Sequence, residues 1–178
     1  MKIGIISDTH RNHEYIEKVA EFLVKKQNVG AIYHLGDDYE DMRALEDYHV
    51  EIAQVPGVYD EGYRNKSLSA KITETVLGVN ILLVHSIDKD VTDNDLFKAD
   101  IILHGHTHIE ELRLEDGRLF MNPGHLKGPL DRNKPPSFGL LTILDREITA
   151  SVYDLKMKII NTIELTRTEN GLHKSYGF

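Results

Sequence analysis

The sequence predicts an α/β fold in a single domain, in which a mixed β-sheet is backed by a second sheet and helices lie outside. One observation is that the first third alternates strand-length apolar runs with segments of helical spacing, the pattern of a parallel sheet with packed helices. Another is that the remainder consists mainly of strands joined by turns. Finally, 178 residues suit one domain and suffice to bury a substantial core.

Apolar spacing defines the elements of the first third. Residues 3–6, 31–35 and 50–55 form short apolar or alternating runs, which predict three strands. Residues 14–26 carry apolar side chains at helical spacing, and residues 41–47 predict a second, short helix. Strand, helix, strand, helix and strand therefore follow one another.

Hairpins dominate the rest of the chain. Glu-Asp-Gly at residues 115–117 is a strong turn signal, and residues 93–99 predict a helix capped by Thr92 or Asp93. Residues 128–136 hold three of the five prolines and predict a loop. Further strands are predicted at residues 70–76, 80–84, 101–103, 110–114, 118–121, 139–144, 149–155 and 159–165.

One domain is predicted over residues 1–167, followed by a polar, frayed C-terminal tail at residues 168–178. The N-terminal apolar run reaches Asp8 too soon for a signal peptide, and no apolar run approaches the roughly 20 residues that cross a bilayer. We therefore expect a cytoplasmic protein without a membrane partner. A homo-oligomer, formed through a sheet edge or the apolar C-terminal strands, is left open.

Composition restricts the classes of function. The net charge of −8 argues against sequence-independent binding of nucleic acid, which needs a basic surface. It does not exclude a phosphorylated substrate, because a bound dication can reverse the local field. The chain has no cysteine, so a thiolate metal site, a cysteine nucleophile and a disulfide are all excluded.

Side chains suited to metal binding come directly after predicted strands. This edge of an open α/β sheet is where ligands bind. Carboxylates and imidazoles gathered there shift one another's pKa values unless a cation is present, and neutral imidazole is the commonest metal ligand. The six candidate metal ligands are Asp8, His10, Asp37, His85, His106 and His108.

Each candidate has a structural alternative when it is taken alone. Asp8 and Asp37 can cap helices, and His85 can be a core histidine. The recurrence at several strand ends favours a metal site. We also expect the alternate histidines of residues 104–108 to face one side of an extended segment, with Gly105 permitting a bend or a close approach.

The sequence resembles the calcineurin-like metallophosphoesterases. The motifs are Asp-x-His after the first strand, Gly-Asp after the second, a single His after a later strand, and Gly-His-x-His beyond it. Asn-Pro-Gly at residues 122–124 and the compact length resemble the small bacterial and archaeal phosphodiesterase branch, which is itself similar to the retromer subunit Vps29. The resemblance spans residues 2 to about 145 and implies a four-layered α/β/β/α sandwich.

The resemblance implies a centre with two divalent metal ions. One ion would be held by Asp8, His10, Asp37 and His108, and the second by Asp37, His85 and His106. Cations roughly 3.5–4 Å apart clamp phosphoryl oxygens and activate a bridging water, whose hydroxide attacks phosphorus in line. Manganese is the first expectation, and nickel, zinc, iron or magnesium also suit nitrogen and oxygen ligands.

One position departs from the family pattern. Where the family has Gly-Asn after the third strand, and the Asn ligates the second metal, this chain has Val58. The second metal site is therefore expected to be weak, unless Asp60, Glu61 or a water replaces the missing ligand. Tyr59 stands where larger phosphatases have a histidine acid.

Substrate contacts are predicted for Arg11, Asn12 and Tyr59. Arg11 can make a charge-assisted bond to a phosphate oxygen or remain in solvent. Asn12 is a weaker candidate, as is His125, which follows Asn-Pro-Gly where the family usually has Ser. The predicted catalytic group is the metal-bound water, and Arg11 and Tyr59 are further candidates.

The predicted function is that of a metal-dependent hydrolase, a phosphodiesterase rather than a monoesterase, acting on a small phosphoester or a nucleotide. The alternative is a binding or scaffold protein similar to Vps29 that retains the metal site with weak or no catalysis. Val58 favours this alternative.

Overall fold

The computed structural model describes residues 1–175 as two mixed β-sheets packed face to face, with helices on both outer faces. The predicted four-layered α/β/β/α sandwich is confirmed. The larger sheet contains β1 (Lys2–Ile6), β2 (Ala31–His34), β3 (Glu51–Gln54), β9 (Ser137–Ile143), β10 (Glu147–Asp154), β11 (Ile159–Thr168) and β12 (Gly171–Lys174). The smaller sheet contains β4 (Lys71–Val76), β5 (Val79–Val84), β6 (Ile101–Leu103), β7 (Glu111–Glu115) and β8 (Arg118–Asn122).

Strand order brings the carboxyl ends of β1, β2, β5 and β6 together. The larger sheet has the order β12-β11-β10-β9-β1-β2-β3, with β1, β2 and β3 parallel. The smaller has the order β4-β5-β6-β8-β7, with β5, β6 and β8 parallel. Beyond β5, the His85 Nδ1–H donates to the Leu35 carbonyl oxygen that follows β2, over 2.7 Å. The two sheets therefore meet at the edge where the candidate ligands lie.

The helices of the first third cover the outer face of the larger sheet. The first, α1 (His13–Glu21), begins at Asn12, whose side-chain oxygen accepts from the Tyr15 N–H over 3.2 Å. It continues as a π-helical segment, Phe22–Lys26, and a 3₁₀ helix spans Tyr39–Tyr48. These elements coincide with the two helices predicted from apolar spacing.

Three short helices follow later in the chain. Two of them, α2 (Glu61–Arg64) and α3 (Ile87–Asp90), are single turns, too short for apolar spacing to reveal. The third, α4 (Asp93–Lys98), is capped by Thr92, one of the two caps predicted from the sequence. Within residues 1–175, no helix has both the length and the apolar content needed to cross a membrane.

The main core fills the space between the two sheets, and the period of two along each strand decides which side chains enter it. Ile3 and Ile5 of β1 share this core with Leu83 of β5. Ile6 points to the opposite face and packs with Ile16 of α1 in a second buried cluster. Both faces of β1 are thus apolar, as its continuous apolar run predicts.

The C-terminal segment corrects the prediction of a frayed tail. β11 continues to Thr168, and Gly171–Lys174 pairs with it as the antiparallel edge strand β12. Leu172 is buried, and its N–H donates to the Gly117 carbonyl oxygen over 2.8 Å. A single apolar residue among polar ones gives no periodic signal, so the sequence alone misses the strand. Residues 176–178 of the predicted tail lie outside the described residues.

Candidate metal centre

Four of the six predicted ligands form one compact cluster. Asp8 and His10 follow β1, Asp37 follows β2, and His108 follows β6. One ligand atom from each of these residues lies within 4.8 Å of all the others. The chain thus places two carboxylates and two imidazoles around one point, and three of the four residues are buried.

The other two predicted ligands adjoin this cluster through Asp37. His85 Nε2 lies 3.4 Å from Asp37 Oδ1, and His106 Nδ1 lies 3.2 Å from His85 Nε2. Because Asp37 Oδ2 also lies 3.4 Å from His10 Nε2, the Asp37 carboxylate faces both groups. This is the geometry in which a carboxylate can bridge two cations.

The candidate ligands stand on strained backbone. Positive φ angles between 46° and 66° occur at Asp8, His10, Asp37, His106 and His108. The left-handed conformation costs roughly 1–2 kcal/mol for a residue with a Cβ atom. Strain of this kind is held in place by surrounding contacts and clusters at functional sites. Here the Asp8 N–H donates to the Gly36 carbonyl oxygen over 2.9 Å, which ties the first turn to the second.

Two glycines allow the loops to approach the ligands closely. A Cβ atom on Gly57 would lie 1.9 Å from Asp37 Oδ1, and one on Gly105 would lie 2.0 Å from Ser7 Oγ. A side chain at position 57 would overlap the backbone and carboxylate of Asp37, and one at position 105 would overlap the side chains of Ser7 and Asp8. The expected close approach at Gly105 is thus present.

Two histidines present a fixed nitrogen to a carboxylate. His85 Nδ1 donates to the Leu35 carbonyl oxygen over 2.7 Å, and His108 Nδ1 donates to Asp131 Oδ2 over 2.5 Å. In the neutral imidazole the remaining nitrogen, Nε2, carries a lone pair. For His108 this atom faces Asp8 Oδ1 at 3.0 Å, and for His85 it faces Asp37 Oδ1 at 3.4 Å.

These facing atoms fit a bound cation. A lone pair directed at a carboxylate oxygen is repulsive unless positive charge lies between them. Asp8 Oδ1 is also buried and accepts no hydrogen bond within residues 1–175. The donor set contains only nitrogen and oxygen, which suits divalent transition metals.

The electrostatics of the cluster favour positive charge. Burial would raise the pKa of Asp8, but contact with His108 and the nearby His85 lower it overall. Burial raises the pKa of Asp37, and Asp8 adds to this, although His85 opposes it. Burial would lower the pKa of His108, but Asp8 and Asp131 raise it overall. A metal cation and a proton therefore compete for the same position.

Several residues that support the cluster have no signal in the sequence pattern. Asp41 Oδ2 accepts from the Thr9 hydroxyl over 2.6 Å and from the Arg11 N–H over 2.8 Å, which holds the turn between Asp8 and Arg11. Asp131 contacts His108 across 23 positions of the chain. Contacts of this kind depend on loop paths, which apolar spacing does not encode.

The structure also shows what surrounds Val58. The side chain is buried, and valine has no atom that can ligate a metal. The Asp60 carboxylate accepts from the Gly57 N–H over 2.7 Å and from the Asp38 N–H over 3.2 Å, so it supports the turn after β2. Glu61 lines the neighbouring cleft.

The predicted substrate contacts occupy the rim. Arg11 is exposed, and its Nε donates to Asp38 Oδ1 over 2.8 Å. Tyr59 is 73% exposed and lines, together with His10 and Arg11, a cleft of about 370 Å³. Asn12 caps α1, and its amide nitrogen lies 3.3 Å from the Lys127 carbonyl oxygen. Their role in binding substrate remains a prediction.

Two histidines near the centre are turned to other partners. The alternating pattern predicts that His104 faces the same side as His106 and His108, and this prediction is wrong. The segment leaves the extended conformation after β6. His104 Nε2 lies 3.1 Å from Glu111 Oε2 instead. His125 is buried, with Nε2 donating to the Lys134 carbonyl oxygen over 3.1 Å.

A family model and two relatives of this chain carry phosphoesterase descriptions. A family model described as the calcineurin-like phosphoesterase superfamily domain matches residues 1–146. The chain is 28% identical over 160 residues to the probable metallophosphoesterase YsnB of Bacillus subtilis, covering 86% of this chain and 91% of that protein. It is 26% identical over 163 residues to the phosphodiesterase MJ0936 of Methanocaldococcus jannaschii, covering 83% and 96%.

The fold is shared with Vps29. The structure of Vps29 from Entamoeba histolytica in complex with zinc superposes with a TM-score of 0.69 at 24% identity, covering 93% of this chain and 99% of that one. At this identity the likeness concerns the fold alone.

Proposed function

The chain belongs to the calcineurin-like phosphoesterase superfamily, and from this premise we propose that it is a metal-dependent phosphodiesterase. The observation that carries the proposal is the pair of histidines whose Nε2 atoms face the carboxylates of Asp8 and Asp37. The phosphodiesterase name of the relative MJ0936 supports a diester over a monoester.

Two groups of residues would hold the metals. Asp8, His10, Asp37 and His108 would hold the first ion, and Asp37, His85 and His106 the second. Bound divalent cations would lower the pKa of a water molecule and offset charge on the phosphoryl oxygens during in-line displacement. We propose manganese as the metal and the cytoplasm as the location of the protein.

The chain's own side chains contribute orientation. His85 and His108 are each fixed at Nδ1, so their Nε2 atoms point at the reaction site without further ordering. Arg11 lies on the rim, where its guanidinium can exchange Asp38 for a phosphate oxygen. Tyr59, in the cleft beside His10, is placed to contact the alcohol part of a small phosphoester or nucleotide.

We infer that the two metal positions differ in affinity. The first group offers two carboxylates and two imidazoles, whereas the second offers one shared carboxylate and two imidazoles. Val58 adds no ligand to the second, and Asp60 is engaged with backbone N–H groups. The second ion is therefore expected to exchange more readily.

The second candidate function is a binding or scaffold role. It is favoured by Val58 and by the structural likeness to Vps29. In this case the chain would keep the first metal and lack metal-stimulated turnover. The two candidates differ in one observable, the hydrolysis of a diester.

The experiment compares hydrolysis of bis(p-nitrophenyl) phosphate and p-nitrophenyl phosphate by manganese-loaded protein. We expect the native protein to hydrolyse the diester faster than the monoester. The diester rate should fall at least 100-fold in His106→Ala, because a bound metal stabilises the transition state by several kcal/mol and about 1.4 kcal/mol corresponds to a tenfold change in rate. His173→Ala, an exposed histidine of β12, is the matched control and should retain the native rate. Equal rates for His106→Ala and the native chain would refute the proposal.

A further inference from the structure

Asp131 is an acidic residue that contacts the predicted metal ligand His108 at the ring nitrogen opposite the one that faces Asp8. Its Oδ2 lies 2.5 Å from His108 Nδ1, and the opposite ring nitrogen lies 3.0 Å from Asp8 Oδ1. An ionised carboxylate can only accept, so Asp131 favours a hydrogen on Nδ1, and a cation bound at Nε2 would require that same neutral tautomer. The contact therefore leaves the lone pair of Nε2 free on the side of Asp8.

The carboxylate is held in place by its own loop. Lys127 Nζ donates to Asp131 Oδ1 over 3.0 Å, so the two carboxylate oxygens have different partners. The backbone N–H groups of Asp131 and Lys134 each donate to the other's carbonyl oxygen, over 3.0 Å and 2.8 Å. The loop is thus closed by hydrogen bonds on both sides of Asp131.

The same loop is tied to the segment that carries His108. Arg132 Nη1 donates to the Thr107 carbonyl oxygen over 3.0 Å, and Lys134 Nζ lies 3.2 Å from Glu110 Oε1. These contacts flank His108 on both sides in the chain. Loop and ligand segment are therefore joined at three points, of which the contact between Asp131 and His108 is the central one.

We propose that Asp131 is a positioning residue of the metal centre, which holds His108 in the tautomer and orientation that present Nε2 to the first cation. The proposal rests on the proposed function, because it needs a metal in the group formed by Asp8, His10, Asp37 and His108. A carboxylate behind a ligating imidazole fixes the ring and increases its basicity.

In the second group, the histidine that is fixed at Nδ1 has an uncharged partner. His85 is fixed by the neutral carbonyl oxygen of Leu35, whereas His108 is fixed by a carboxylate. Asp131 thus adds a negative charge behind the first ion only. The difference in affinity between the two metal positions then has a second source besides Val58.

The test is the dissociation constant of Mn²⁺ at the tight site, measured by calorimetry on chelator-stripped full-length protein. Asp131→Asn keeps the shape and removes the charge, and we expect the constant to rise roughly 10- to 100-fold. Asp131→Ala, which also removes the hydrogen-bond acceptor for His108 Nδ1, should raise the dissociation constant at least as much. The matched control is Asp145→Asn, in the turn after β9. Near this end of β9, Thr142 pairs with Lys2 at the start of β1, so the turn lies at the end of the sheet opposite the metal centre.

A double-mutant cycle separates positioning through His108 from a general structural effect. In a His108→Ala background, Asp131→Asn should change the constant less than about twofold, because coupled residues are not additive. An equal loss of Mn²⁺ affinity in both backgrounds, or no loss in the native background, overturns the proposal for Asp131. The proposed function stands in either case, provided that the native chain binds Mn²⁺. A native chain that binds no Mn²⁺ overturns both proposals.

Discussion

His85 and His108 illustrate how single residues are committed to the candidate metal centre. Each ring donates from Nδ1 to an acceptor supplied by a distant part of the chain, Leu35 in one case and Asp131 in the other. The remaining nitrogen then has a defined direction. The sequence predicts these histidines as ligands, but the acceptors that hold their Nδ1 atoms follow from the fold.

A buried histidine outside the proposed ligand set should make stability depend on pH. His34 is fully buried at the end of β2, and burial lowers its pKa from 6.5 to about 4. Between these values the unfolded chain binds a proton that the folded chain does not. Stability is therefore complete above pH 6.5, falls as the pH drops, and levels off below about pH 4.

The loss attributable to His34 is on the order of 3 kcal/mol at low pH. Urea denaturation of metal-free protein at several pH values measures it, with His34→Gln as the comparison. The variant should show a shallower decline over this range, whatever its absolute stability. Parallel curves for the two proteins would show that His34 does not titrate as its burial implies.

At the scale of elements, what the sequence reveals depends on periodicity. β1 and α1 were predictable because their apolar side chains repeat at the spacing of a strand and a helix. The single-turn helices α2 and α3 and the edge strand β12 are too short or too polar to produce a repeat. The same limit applies to the loop that carries Asp131.

The capping box of α4 offers a test of local stability. Thr92 Oγ1 accepts from the Asp95 N–H over 3.3 Å, and Asp95 Oδ2 accepts from the Thr92 N–H over 2.8 Å. Thr92→Ala should lower the free energy of unfolding by about 0.5–2 kcal/mol, since one N–H at the helix start loses its acceptor.

Urea denaturation of the metal-free protein measures this change. Thr73→Ala, an exposed threonine of β4, is the matched control and should stay within about 0.5 kcal/mol of the native value. A loss no larger than that of the control would mean that the cap contributes nothing measurable to α4.

For the whole molecule, the four-layered arrangement explains why the candidate ligands meet. Asp8 and Asp37 follow β1 and β2 of one sheet, and His85 and His106 follow β5 and β6 of the other. The sequence is sufficient to predict that ligands follow strand ends and that the family fold joins them. It is not sufficient to predict the strained turns, or that His104 is turned to Glu111, because both depend on loop geometry.

We propose that this chain hydrolyses a phosphodiester with two metals of unequal affinity. The most direct test is the rate of bis(p-nitrophenyl) phosphate hydrolysis by chelator-stripped protein during titration with Mn²⁺, with bound metal counted by mass spectrometry. We expect one ion to bind first with little turnover, and the rate to rise as a weaker second ion binds. Val58→Asn should shift that rise to lower Mn²⁺ concentration. Turnover in the stripped protein, or none at any Mn²⁺ concentration, would contradict the account.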